Sequence, residues 1–181
     1  MRRILPLALA ALLACAAVWP ADAASAKTFD TWPSVTAALS GLQTPWEPRH
    51  TIGLTLDPKL GIDVTRCTGK KGYLIHARYA SPRNRRAFSI VEQPNGVNCV
   101  RTNMSGYGRI GIVRVLGYTF DIYGRCKAAR CPGWTVVKRG LVRMRPASPG
   151  ASVSSVRIAT KGLTYEEVRW LTEGLALPSF N

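Results

Sequence analysis

Residues Ser105 to Gly117 read SGYGRIGIVRVLG, and Gly106, Gly108 and Gly111 within them keep the G-x-G-x-x-G spacing of a dinucleotide fingerprint. That chemistry needs the glycines to follow a strand and to open a helix whose N-terminus faces the pyrophosphate, with an acidic residue about 20 positions on. Here Gly111 runs into Ile112, Val113, Arg114 and Val115, a β-branched stretch, and Leu116-Gly117 reads as a tight turn into Tyr118. Asp121 is too near and falls on a predicted strand. No nucleotide cofactor is expected, and the glycines are read as relieving strand crowding, permitting a bulge or opening a turn. Gly69-Lys70-Lys71 lacks the glycine frame of a phosphate loop.

Other catalytic signatures are thin. His50 and His76 stand far apart in sequence, and no G-x-S-x-G elbow marks a nucleophile. Glu92 and Asp121 are the strand-borne carboxylates that could form a glycosidase pair, provided both face one cleft. Cys67, Cys99, Cys126 and Cys131 follow the first 26 residues, and an even number in an exported chain predicts disulfides. The short 126–131 loop closes easily beside Pro132-Gly133, which leaves Cys67 for Cys99. A zinc site is the rival, but C-x₄-C is wider than the usual knuckle, so no metal is expected.

Charge is the stronger signal. The chain carries 25 Lys+Arg against 10 Asp+Glu, a formal net charge of +15. Such an imbalance sets up a positive field that favours anionic partners. Arg83, Arg85 and Arg86 occupy a predicted turn, while Arg139, Arg143 and Arg145 lie near another. Guanidinium forks suit phosphate and carboxylate, and nearby aromatics such as Tyr79, Tyr107 and Trp134 could stack on sugars or bases. These six arginines are the candidate ligand-binding residues; no catalytic residue is assigned.

Arg2-Arg3, an apolar run over 4–18 and the small residues around Ala23 and Ala26 form a secretory signal peptide over residues 1–26. The run is shorter than the ~20 residues of a spanning helix, and no later segment is long enough, so no transmembrane segment is expected. Leu12-Leu13-Ala14-Cys15 resembles a lipobox; lipid anchoring through Cys15 is the alternative to plain export. Residues 27–181 then form one exported domain, secreted or periplasmic.

Thr31 caps an N-terminal helix whose stripe is Trp32, Val35, Leu39 and Leu42. Short β-rich runs follow at 51–56, 62–67, 73–79, 87–92, 97–102, 110–115, 118–123, 135–137, 141–145 and 153–159. Their short turns predict antiparallel pairing. Thr164 and Glu167 form a capping box, Leu163 and Val168 a staple, and Val168, Leu171 and Leu175 the buried stripe of a closing helix. The expected fold is α+β: a single antiparallel sheet with an N-terminal helix, a C-terminal packing helix and two disulfides.

The closing stretch VSSVRIATKGLTYEEVRWLTEGL, a final strand followed by Gly-Leu-Thr-x-Glu-Glu and an apolar helix, resembles the end of small exported bacterial domains. These are domains attached to anti-sigma factors and lipoprotein-carrier-like sigma-factor regulators of the MucB and RseB kind. The resemblance covers about the last 30 residues; this chain departs from it in the four cysteines that follow residue 26 and in lacking an anti-sigma segment. It implies a non-catalytic envelope domain that binds or senses, with no cofactor. The expected function is therefore an exported envelope protein that holds an anionic polymer or a protein partner through an arginine-rich surface. The alternatives are a secreted hydrolase of wall or polysaccharide material, or a disulfide-stabilised inhibitor or effector.

Overall fold

The computed structural model describes residues 26–125, 135–148 and 151–178. Elements follow in the order β1 (Lys27–Phe29), α1 (Trp32–Ala38), β2 (Glu47–Pro48), β3 (Thr55–Leu56), β4 (Ile62–Arg66), β5 (Tyr73–Ala80), β6 (Ala87–Gln93), β7 (Gly108–Val115), β8 (Tyr118–Gly124), β9 (Val136–Met144), β10 (Ser155–Thr164), α2 (Tyr165–Glu173) and β11 (Leu175–Ala176). Among the described residues strand takes 46% and helix 11%. The expected α+β class is thereby corrected to a mostly β fold. Helices of 7 and 9 residues cap a sheet without forming a layer of their own.

The nine-stranded sheet runs β1-β4-β5-β6-β10-β9-β8-β7, with β3 on β5, and every pair is antiparallel. It consists of two meanders, β4–β6 and β7–β10, stitched together where β10 pairs β6. The β6–β7 connection must therefore travel past β10, β9 and β8 to reach the far edge.

Alternation sets what each face carries, because successive strand side chains point to opposite sides. On the covered face Ile75, Ala77, Ile90, Val156, Ile158, Val142, Ile122 and Phe120 are all buried. Trp32, Val35 and Leu39 from α1, and Val168 and Leu171 from α2, complete this core. Leu42, expected on the α1 stripe, is 64% exposed, because the helix ends at Ala38 before its fourth apolar position. Trp46 lies edge-on to Tyr118 and Phe120, with ring centroids 5.4 and 5.5 Å away. Trp32 donates its indole N–H to the Tyr79 hydroxyl at 2.8 Å, and the Tyr79 ring stacks on Phe88.

The closing helix follows its sequence signature at its start, but it ends at Glu173, so Leu175, expected on its stripe, is buried in β11 instead. The Glu167 amide donates to the Thr164 hydroxyl and the Thr164 amide to the Glu167 carboxylate. Gly111 and its neighbours also behave as strand residues: the β7–β8 register shifts between Arg109 and Gly111. A Cβ on Gly111 would stand 2.3 Å from the Tyr165 hydroxyl, so the glycine leaves room for the Tyr165 side chain of α2 over this strand.

Two readings of the strand pattern are corrected. Residues 97–102 are not a strand but part of the β6–β7 connection, and 135–137 with 141–145 fuse into the single strand β9. Gly140 is no break; a Cβ there would sit 2.3 Å from the Thr160 hydroxyl of the neighbouring strand. Cys67 and Cys99 are joined, with Cα atoms 5.4 Å apart. Cys126 and Cys131 lie outside the described residues, so of the two expected disulfides one, Cys67–Cys99, is shown among the described residues. Among the described residues no helix is long and apolar enough to cross a membrane.

Candidate functional site

The open face of the sheet, away from the helices, carries the charge. One row across it places His76, Val91, Arg157, Arg143, Asp121 and Ile112 side by side on six strands. The next row includes Arg78, Ser89, Ala159 and Leu141, and the row beyond it Lys161 and Arg139. Part of this face is covered by the β6–β7 connection. The Cys67–Cys99 disulfide anchors it at one end, and the Gln93 side-chain oxygen accepts from the Cys99 and Val100 amides. Arg157 donates to the Val100 carbonyl at 2.8 Å and to the Thr102 hydroxyl, holding the segment on the sheet. Burial lowers the Arg157 pKa, as does the adjacent Arg143 charge to a smaller degree. At the far end the Arg125 guanidinium lies 5.1 Å from the Tyr107 ring centroid and donates to the Ser105 carbonyl.

Beyond this strap the face opens into a groove of about 440 Å³ lined by Arg78, Ser89, Tyr107, Arg139, Ala159 and Lys161, with Lys138 at its rim. Four cations from three strands and one aromatic ring therefore meet in one place. The turn 81–86 closes an end of it: Asn84 accepts from Arg78 (2.8 Å) and from Lys161 (3.1 Å). Asn84 has φ +50, a left-handed conformation that asparagine tolerates. Gly162 is required beside it, since a Cβ there would meet the Arg85 carbonyl at 2.4 Å.

Of the six arginines expected from sequence, the fold brings one into the groove and two near it. Arg139 lines it, and Arg83 and Arg85 are exposed on the adjoining turn. Arg86 points elsewhere and pairs with Glu167 of α2. Arg145 makes a two-pronged clamp on Asp121, at 2.8 Å to each carboxylate oxygen, and Arg143 stands between Asp121 and Arg157. Tyr107, one of the aromatics expected beside the basic clusters, does line the groove, as does Lys138 next to Arg139, whereas Arg78 and Lys161 are lining cations that no cluster in the sequence marks. The available signal was the alternation in β5, which already puts His76 and Arg78 on the face opposite Ile75 and Ala77.

The two strand-borne carboxylates do not pair. Glu92 lies on the covered face between Ile75 and Val156 and is fully buried. Its carboxylate accepts the Trp46 amide at 2.9 Å, while its other oxygen has no hydrogen bond of normal geometry. Burial pushes its pKa up to about 8, offset in part by the Trp46 amide and the neighbouring Ser154 hydroxyl. Asp121 lies on the open face, and the Arg145 hydrogen bonds, aided by the charges of Arg145, Arg109 and Arg143, hold its carboxyl below the usual range against a smaller effect of burial. A general acid and a base cannot act on one bond through the thickness of a sheet.

A larger cleft, about 590 Å³, lies between the Arg49–Gly53 segment and the end of α2. It mixes Arg49 with Glu173 and gathers none of the expected arginines, so the smaller groove is the site the charge selects. Among the described residues no three His, Cys, Asp or Glu side chains are placed to hold a metal ion. Comparison with known families, with characterised proteins and with solved structures finds no match to this chain.

Proposed function

We propose that this chain is a non-catalytic exported envelope protein that holds an anionic polymer in the groove on the open face of its sheet. The observation that carries the reading is the convergence of Arg78, Lys138, Arg139 and Lys161 around one concave site with Tyr107. A groove lined by one sign of charge focuses the field and raises the local concentration of the opposite charge. Arginine forks take sulfate, phosphate or carboxylate oxygens two at a time, and a tyrosine ring gives a sugar or other flat surface something to lie on. Arg78 also faces Asp57 at 3.8 Å, while the residues that line the groove among those described carry no carboxylate, which favours holding an anion there. The leader-like residues 1–26 and the Cys67–Cys99 disulfide support export, and so does the resemblance of the closing strand and helix to envelope sensing domains.

Binding to dextran sulfate and to polyphosphate, against neutral dextran, tests this. The wild-type protein binds both polyanions, and log affinity falls linearly with log salt as counterions are released. Arg139→Ser with Lys161→Ser weakens binding and flattens that slope by about two, while Arg86→Ser changes it little. Indifference to both polyanions at low salt overturns the reading.

A further inference from the structure

Leu116 and Gly117 form the two-residue turn between β7 and β8, with φ +49 and +81. Such a turn needs a left-handed residue at both positions, where asparagine, aspartate and glycine are at ease and leucine is not. Among the described residues two other non-glycine residues adopt positive φ, and both have a reason. Asn84 is a tolerant residue type, and Ile52 packs its side chain against the core. Leu116 is 63% exposed, so no burial compensates its strain. A strained backbone with no return inside the fold points to a use outside it.

The surroundings say which use. The topology gathers segments 39–46, 66–73, 93–101, 113–120 and 143–148 at the same end of the sheet. They are knitted together by Tyr73 donating to Gln43, Lys70 to the Asn98 carbonyl, Asn95 to the Ser148 carbonyl and the Arg145 amide to the Thr119 carbonyl. Not one aspartate or glutamate occurs in these five segments, whereas Arg66, Lys70, Lys71, Arg101 and Arg114 are all exposed there. Leu42 (64% exposed) and Val100 (41%) share this end with Leu116.

We propose that this end of the sheet docks on an anionic lipid surface, with Leu116 and Leu42 entering the headgroup boundary and the surrounding cations meeting the lipid phosphates. Apolar side chains set in a purely cationic rim are what an anionic interface recognises. A hydrophilic polyanion would meet the cations but give the leucines nothing. The groove lies at the opposite end: six strand residues from Arg145 to Arg139 span about 20 Å, more than a Debye length at ordinary salt.

Co-sedimentation with vesicles decides it, using protein lacking residues 1–26, which retains every element described from Lys27 onward. Binding is expected to phosphatidylglycerol-containing vesicles, weakening with salt, and not to pure phosphatidylcholine. Leu116→Asn lowers vesicle affinity about tenfold while its melting temperature holds or rises, because asparagine relieves the turn. Lys70→Ser with Lys71→Ser lowers affinity by about tenfold or more. Arg139→Ser, in the groove, leaves vesicle binding nearly intact, so this test and that of the groove can fail separately. The proposal is overturned if anionic vesicles are ignored at low salt, or if Leu116→Asn binds them as well as wild type. It is also overturned if the protein self-associates through this end and Leu116→Asn abolishes that association instead.

Discussion

Glu92 and Asp121 are both carboxylates on interior strands of one sheet, yet they belong to two different environments. Glu92 points into the covered face, flanked by Ile75 and Val156, with one backbone amide for company. Asp121 points to the open face, gripped by Arg145 and approached by Arg109 at 3.7 Å. Burial moves the first pKa up and cations move the second down. Sheet parity, not residue type, decides which carboxyl is a neutral member of the core and which is an anion in an arginine field. The same parity separates the whole molecule. One face is Ile, Val, Phe and Trp under two short helices; the other holds Arg78, Arg139, Arg143, Arg157 and Lys161 around a strap and a groove.

The two faces differ most in what a truncation on each costs. Leu171 of α2 is fully buried against the covered face, and Leu171→Ala is expected to cost about 2–5 kcal/mol in urea unfolding. Ala159→Ser, exposed on the open face, is expected to stay within about 0.5 kcal/mol. Equal losses would mean that the two faces are not distinct in the way described.

The two carboxyls set opposite limbs of the pH dependence. Glu92 has a folded pKa of about 8 against an ordinary 4.5, so the native state binds more protons than the unfolded one between these values. Its contribution is whole below about 4.5, is lost as pH rises towards about 8 and then levels, with a total on the order of a few kcal/mol. Glu92→Gln keeps an oxygen for the Trp46 amide and removes this slope. Chemical unfolding of both proteins from pH 4 to pH 9 checks it; an unchanged slope in the variant assigns the effect elsewhere.

Asp121 acts the other way. Its depressed pKa contributes stability above the ordinary carboxylate range, lost as pH falls through the lowered value. Asp121→Asn is expected to cost about 1 kcal/mol near neutrality, since the Arg145 partner is half exposed and screened. It is also expected to remove this acid limb while leaving the Glu92 slope in place. The wild-type optimum then falls between the two limbs, in mildly acid solution.

Local chemistry was legible in the chain where it is decided by neighbours. Thr164 and Glu167 cap α2 because a hydroxyl and a carboxylate three residues apart reach each other's amides. The alternation of Tyr73 to Ala80 marks the inward residues of β5 without reference to any partner strand. What depends on distant pairing was not legible. Residues 97–102 look like a strand by composition, but the chain there is crossing from the middle of the sheet to its edge, and Gln93, Arg157 and the disulfide use its backbone groups instead. Arg86 reads as part of an arginine cluster until Glu167, 81 residues away, takes it. The groove was hidden for the same reason, because Arg78, Arg139 and Lys161 become neighbours only through the β5–β6–β10–β9 pairings. Leu42 continues the helical period of α1, but a period does not say where a helix stops.

An amide NMR titration of the folded protein with a sulfated tetrasaccharide at moderate salt tests most directly whether the groove holds an anion. Progressive, saturable shifts are expected at Ser89, Tyr107, Arg139, Gly140 and Ala159, with the α2 amides and the Arg49–Gly53 cleft unmoved. Shifts spread evenly over every arginine-bearing turn, or centred on that cleft, would contradict it.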